Sequence, residues 1–159
     1  SLVCACSKIH KNLLDSSLMG AKLQPDSLSA RYQITGLESG FIAVNDQRWS
    51  ESIVLSGSLA PQPWVVSVDE PLQPSHFQDL IGHEPDILLI GTGTQQVFVH
   101  PSIWSDVCRE ASVGIEFMTS AAACRTFNLL ASENRRVVLA TLLPGAQAPY
   151  WQPGNLVRE

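Results

Sequence analysis

Charge is what this chain is short of. Only 16% of its 159 residues are Asp, Glu, Lys or Arg, and the formal net charge is −5, where ordinary soluble domains are about 25% charged. Arg135-Arg136 is the one adjacent basic pair. Proteins that grip phosphate backbones use clustered Lys and Arg to displace counterions, so no nucleic-acid ligand is expected. Long apolar runs are scarce as well. Ile87 to Ser105 carries no formal charge, but Gly, Thr, Gln and Pro interrupt it, and a bilayer-spanning helix needs roughly 20 mostly apolar residues. No transmembrane segment is expected. With 45% hydrophobic residues and so little charge, the exterior is either covered by Ser, Thr and Gln or partly buried against a protein partner or a second copy of the chain.

Cysteine is sparse too, at positions 4, 6, 108 and 124. Cys108 and Cys124 fall in predicted helices among apolar neighbours and read as small core side chains of a reducing compartment, the cytoplasm. Cys4-Ala5-Cys6 with His10 lacks a fourth ligand for a closed zinc site, and His76, His83 and His100 have no metal spacing. Neither a metal nor any other cofactor is expected.

Residues 1–20 follow no strong periodicity and are read as a leader or upstream extension, without the apolar core and small-residue cleavage site of a secretory signal. Residues 21–145 are read as one α/β domain, and 146–159 as a Pro-rich aromatic tail. Within the domain, Tyr32–Thr35, Gly40–Val44 and Trp49–Leu55 look like strands, the last two joined through Asn45-Asp46-Gln47 turn chemistry. Trp64–Val68 looks like another strand, and Ser75 caps a short helix ending at Leu80 or Ile81.

Strand and helix then alternate. Asp86–Ile90 and Val137–Leu143 are apolar enough to be covered on both faces. Pro101 opens a helix with an inward stripe of Ile103, Val107 and Ala111. Gly114 turns the chain into Ile115–Met118, and Thr119 or Ser120 caps a helix whose inward face is Ala123, Phe127 and Leu130. The result is an α/β fold: a mixed sheet with a central parallel βαβαβ unit, right-handed in both crossovers, plus an N-terminal β-hairpin region that covers or extends it. The tail, which carries Tyr150-Trp151, is read as a frayed terminus, or else as an arm that docks on a neighbouring subunit.

Gly91-Thr92-Gly93-Thr94 follows a buried strand, where glycine-rich phosphate loops sit in doubly wound folds. Gln96 stands where a dinucleotide fingerprint wants Gly, and no lysine completes a mononucleotide loop. The main reading is a turn that packs two backbones closely. Since the carboxyl ends of parallel strands share one edge, this loop and the Thr119-Ser120 helix start should converge on a polar pocket able to hold a small anion on helix N–H groups. Cys124 lies in the first turns of that helix, where the dipole can lower a thiol pKa, but no histidine is placed to activate it and a core role is favoured. Glu84 and Asp86 are read as solvated loop charges at the opposite edge. Asn128 is read as bonding a neighbouring loop through its side chain.

Gly40-Phe41, Ile90-Gly91-Thr92-Gly93, Gly114-Ile115-Glu116, Cys124, Thr126-Phe127-Asn128 and Arg136-Val137 leading to Leu143-Pro144, taken in this order, resemble the family that includes mitochondrial complex I assembly factor 3 and many bacterial relatives without assigned function. The likeness covers roughly residues 21 to 145. It implies a three-layer α/β domain, a mitochondrial location in a eukaryote and, for the mitochondrial member, assembly work alongside another factor on the peripheral arm of complex I. No catalytic residues transfer, and Arg125 stands where some relatives carry Ala. Two functions follow as expectations: a non-catalytic binding or assembly module, or a small-molecule or anion-binding protein, conceivably an enzyme, using the Gly91–Thr119 pocket.

Overall fold

The structure, a computed structural model, describes residues 30–152. The leader and the Cys4-Ala5-Cys6 cluster with His10 lie outside the described residues. Asn45 and Asp46 set the hairpin between the second and third strands, since both take left-handed φ, 50° and 70°, as a two-residue primed turn requires. They join β2 (Phe41–Val44) to β3 (Gln47–Trp49), while β1 (Ile34–Glu38) pairs antiparallel with the other side of β2. These three strands form a sheet of their own. The first strand begins at Ile34 rather than Tyr32. The expected strand from Trp49 to Leu55 divides in two, because polar Ser50-Glu51-Ser52 ends β3 and β4 (Ile53–Ser56) belongs to a second sheet.

That second sheet adds β5 (Gln62–Pro63), β6 (Ile87–Gly91), β7 (Gly114–Met118) and β8 (Val137–Thr141), in the order β5-β4-β8-β6-β7. β6 runs parallel to both β7 and β8, whereas β4 runs antiparallel to β8. With α1 (Pro74–Ile81), α2 (Pro101–Ala111) and α3 (Ser120–Ser132), the segment β6-α2-β7-α3-β8 is the expected βαβαβ unit. The period of two along each strand sorts its side chains onto opposite faces. Val54, Leu88, Ile90, Val138 and Ala140 pack with Phe77 and Leu80 of α1 and with Trp104 and Val107 of α2. Ile53, Leu55, Leu89, Val137 and Leu139 pack with Ala123, Phe127 and Leu130 of α3 and with Ile34, Ile42 and Val44 of the small sheet. The three layers are therefore α1 and α2, the five-stranded sheet, and α3 beside the hairpin sheet. Burial on both faces explains why β6 and β8 need unbroken apolar runs; each large aliphatic side chain so covered contributes about 1.5–3 kcal/mol.

Several local expectations change. Trp64–Val68 forms no strand; Pro61 and Pro63 remove ladder donors, and pairing with β4 stops at the two-residue β5. α1 is opened by Pro74 in its first turn after Gln73, not by Ser75, and His76 Nδ1 accepts the Gln73 N–H at 2.9 Å. On α2 Ala111 is exposed, and the inward side is Ile103, Trp104, Val107 and Cys108; the Trp104 ring sits 5.6 Å from that of Phe117. The left-handed turn before β7 falls at Ser112, φ 58°, with Gly114 already in the strand. Trp151 neither frays nor reaches for another subunit. It is buried in the α1 and α2 core, edge-on to Trp64 at 5.6 Å, and its Nε1 donates to the Ser67 carbonyl at 3.0 Å.

Candidate functional site

β6 and β7 end side by side, which brings Gly91, Thr92, Gly93 and Thr94 to the start of α3. The convergence is close. The Gly93 N–H donates to Ser120 Oγ at 2.8 Å, and the Ser120 N–H donates back to the Gly93 carbonyl at 2.9 Å. Thr92 is fully buried: its N–H donates to the Met118 carbonyl at 2.9 Å, its hydroxyl donates to the Gln95 carbonyl at 2.7 Å, and it accepts the Val97 N–H at 3.2 Å. Thr94 N–H donates to the Ala146 carbonyl at 2.8 Å. Thr119 caps α3, accepting the Ala122 N–H on its hydroxyl at 3.2 Å.

The loop and the helix start therefore meet directly. The donors of Gly93 and Ser120, which an anion between them would need, bond within the chain. Gly91 permits that approach, since a Cβ there would overlap the Thr141 side chain and come 3.1 Å from Ser120 Cα. Gly93 has φ +90°, and a Cβ on it would overlap the Ala146 carbonyl. Both glycines serve close backbone packing.

Cys124 lies one turn into α3, fully buried against Leu89 and Leu139. Burial pushes its thiol up to about 12, outweighing the opposite pull of Arg125. The dipole's depressing influence thus loses to desolvation, and the side chain is a core filler. Phe127 is fully buried beside it, and Thr126 is half-buried on the same helix. Asn128 reaches the backbone of Ile34. His76 and His100 serve helix starts, His76 Nδ1 accepting the Gln73 N–H at 2.9 Å and His100 Nδ1 accepting the Ser102 N–H at 3.1 Å.

Two features escaped the sequence. Phe98 is 71% exposed between Val97 and Val99, each 3% exposed; Val65 and Tyr150 are likewise exposed beside buried Trp64 and Trp151. The second is a cavity of about 790 Å³ at the opposite edge of the sheet, on whose wall Arg31, Arg135 and Arg136 come together. The Arg135-Arg136 pair was its only sequence signal.

The chain belongs to the family described as a protein of unknown function (DUF498/DUF598), which matches residues 34–142. It is 29% identical over 117 residues to the "13 kDa major membrane protein" of Francisella tularensis subsp. holarctica, covering 72% of this chain and 94% of that protein. It is also 29% identical over 130 residues to "NADH dehydrogenase [ubiquinone] 1 alpha subcomplex assembly factor 3" of Xenopus tropicalis, covering 80% of this chain and 69% of that protein. Among solved structures, a Bordetella parapertussis protein matches with a TM-score of 0.66 and 34% identity, over 75% of this chain and 99% of its own. Among the described residues no helix is long and apolar enough to cross a membrane.

Proposed function

We propose, from membership of that family, that this chain is a non-catalytic protein-binding module of the assembly-factor kind. Its docking surface is built on the loops that carry Val65, Phe98 and Tyr150. The observation that carries this reading is Phe98. A benzyl side chain held 71% exposed gains nothing for the fold, and its position is secured by Val97 and Val99, which anchor the loop in the core on either side. Val65 and Tyr150 repeat the arrangement, each flanked by an anchored tryptophan, and those two tryptophans touch. Exposed aromatics on a rigid base are favourable anchors at interfaces because little side-chain entropy is lost on binding. The likeness to an assembly factor supports a protein as the bound partner. The setting is the cytoplasm in a bacterium and the mitochondrion in a eukaryote.

Affinity capture from native extract, paired with size-exclusion light scattering, tests the reading. A specific partner or a defined oligomer should be retained by the wild-type chain and lost by Phe98→Asp/Tyr150→Ser, with the melting temperature preserved. Equal capture by the folded double variant would remove these loops from the interface.

A further inference from the structure

We propose that the cavity at the amino-terminal edge of the parallel strands binds the phosphate ester of a small polyhydroxylated molecule. Its volume of about 790 Å³ falls within the roughly 300–1,000 Å³ typical of small-molecule sites. In an acidic chain its wall is basic: the described residues include six basic side chains, all arginine, and Arg31, Arg135 and Arg136 line this cavity against one carboxylate, Glu84. Guanidinium groups present planar forks of donors that match phosphate oxygens two at a time.

Three separate parts of the chain deliver these groups, which makes the clustering a property of the fold. Arg31 enters beside Gly57, its N–H donating to the Gly57 carbonyl at 2.8 Å. Arg135 and Arg136 follow α3 through Asn134, which takes φ 64°, and Glu84 follows α1 with φ 60°. Both turns end helices: the Asn134 N–H donates to the Ala131 carbonyl at 3.0 Å and the Arg135 N–H to the Leu130 carbonyl at 3.2 Å, while the Glu84 N–H donates to the Ile81 carbonyl at 2.8 Å, so helix termination is what aims these side chains at the cavity. Arg136 is steadied by Asp86, Nη2 to Oδ1 at 3.1 Å. That hydrogen bond holds the Asp86 carboxyl below the usual carboxylate range, and Arg135 adds to the same effect, so Asp86 stays ionised and offsets part of the arginine charge at this edge.

The uncharged wall narrows the ligand. Among the described residues its lining has no Phe, Tyr or Trp, and Ser58, Asn134 and His83 offer a hydroxyl, an amide and an imidazole to sugar-like hydroxyls.

Isothermal titration calorimetry of the full chain with glucose 6-phosphate, inorganic phosphate and glucose tests this. The sugar phosphate should bind saturably at one site and more tightly than inorganic phosphate, and glucose should give no saturable heat. Arg31→Gln/Arg135→Gln should weaken binding by about tenfold or more. Glu84→Gln should tighten it, a gain that misfolding cannot mimic, and Arg109→Gln, remote from this wall, should change nothing. Absence of saturable heat, unchanged affinity in the double variant, or glucose binding as well as its phosphate would each overturn the proposal.

Discussion

The side-chain amide of Asn128 pairs with both backbone polar groups of Ile34, donating to its carbonyl at 2.8 Å and accepting its N–H at 2.9 Å. A residue in the middle of α3 thereby acts as one rung of a ladder for the edge strand β1. Asn128→Ala would leave both groups of the buried Ile34 without partners. At about 1–3 kcal/mol for each buried group left unbonded, the loss should reach about 2–6 kcal/mol in urea unfolding. Asn128→Asp keeps the acceptor but sets a carboxylate oxygen against the Ile34 carbonyl in place of the amide donor, so it too should destabilise. A loss below about 0.5 kcal/mol for Asn128→Ala would show that water replaces the amide.

Gly91 tests the closeness of the rim. Gly91→Ala puts a methyl group into Thr141 and against Ser120 Cα, and overpacking of this kind costs about 1–3 kcal/mol or more. Thr141→Gly removes the larger of the two obstacles, so Gly91→Ala should cost less in the Thr141→Gly background than in the wild type. Strict additivity of the two changes would contradict the overlap.

Cys124 should be inert. With no exposure and a thiol pushed up to about 12, it should resist alkylation at pH 8 in the native state and react only on unfolding. The folded thiol keeps its proton above the point where the unfolded one, near pH 8.5, gives it up. Its contribution to stability is therefore complete below about pH 8.5 and lost progressively as pH rises toward 12, by about 5 kcal/mol at 1.36 kcal/mol per pH unit. Cys124→Ala should flatten the alkaline fall in stability relative to wild type, although burial raises Cys108 as well and leaves a residual slope.

Trp151 should behave as a core residue. Trp151→Ala removes the edge-on contact with Trp64 and the bond to the Ser67 carbonyl, and substitutions of this class cost about 3–5 kcal/mol. Chemical denaturation followed by circular dichroism provides the check. A chain cut after Gly145 that kept wild-type stability would return this segment to the status of a loose terminus.

The parts of the fold that were legible in the sequence are those governed by near neighbours. Continuous apolar runs marked β6 and β8, Asn45-Asp46 marked the turn between β2 and β3, and Thr119 marked the start of α3, because strand burial, left-handed backbone and helix capping each leave a local residue signature. Trp64–Val68 misled for the same reason: its composition suits a strand, but two nearby prolines remove the donors that a neighbouring strand would need. Ala111 misled because it is the last residue of α2: it shares the face of Trp104 and Cys108, but at the helix end nothing covers it and it is exposed.

For the candidate site, sequence determined that the Gly91 loop and the Thr119 shoulder share an edge, because a parallel βαβ unit places both at strand carboxyl ends. Only tertiary structure decided that Gly93 and Ser120, 27 residues apart, consume each other's donors, that Phe98 stands out from anchored neighbours, and that three arginines from distant segments share one cavity. Propensity and period operate over a few residues. Whether a polar group is spent or available depends on distances of an ångström or less between elements far apart in the chain, and the packing of the whole domain sets those distances.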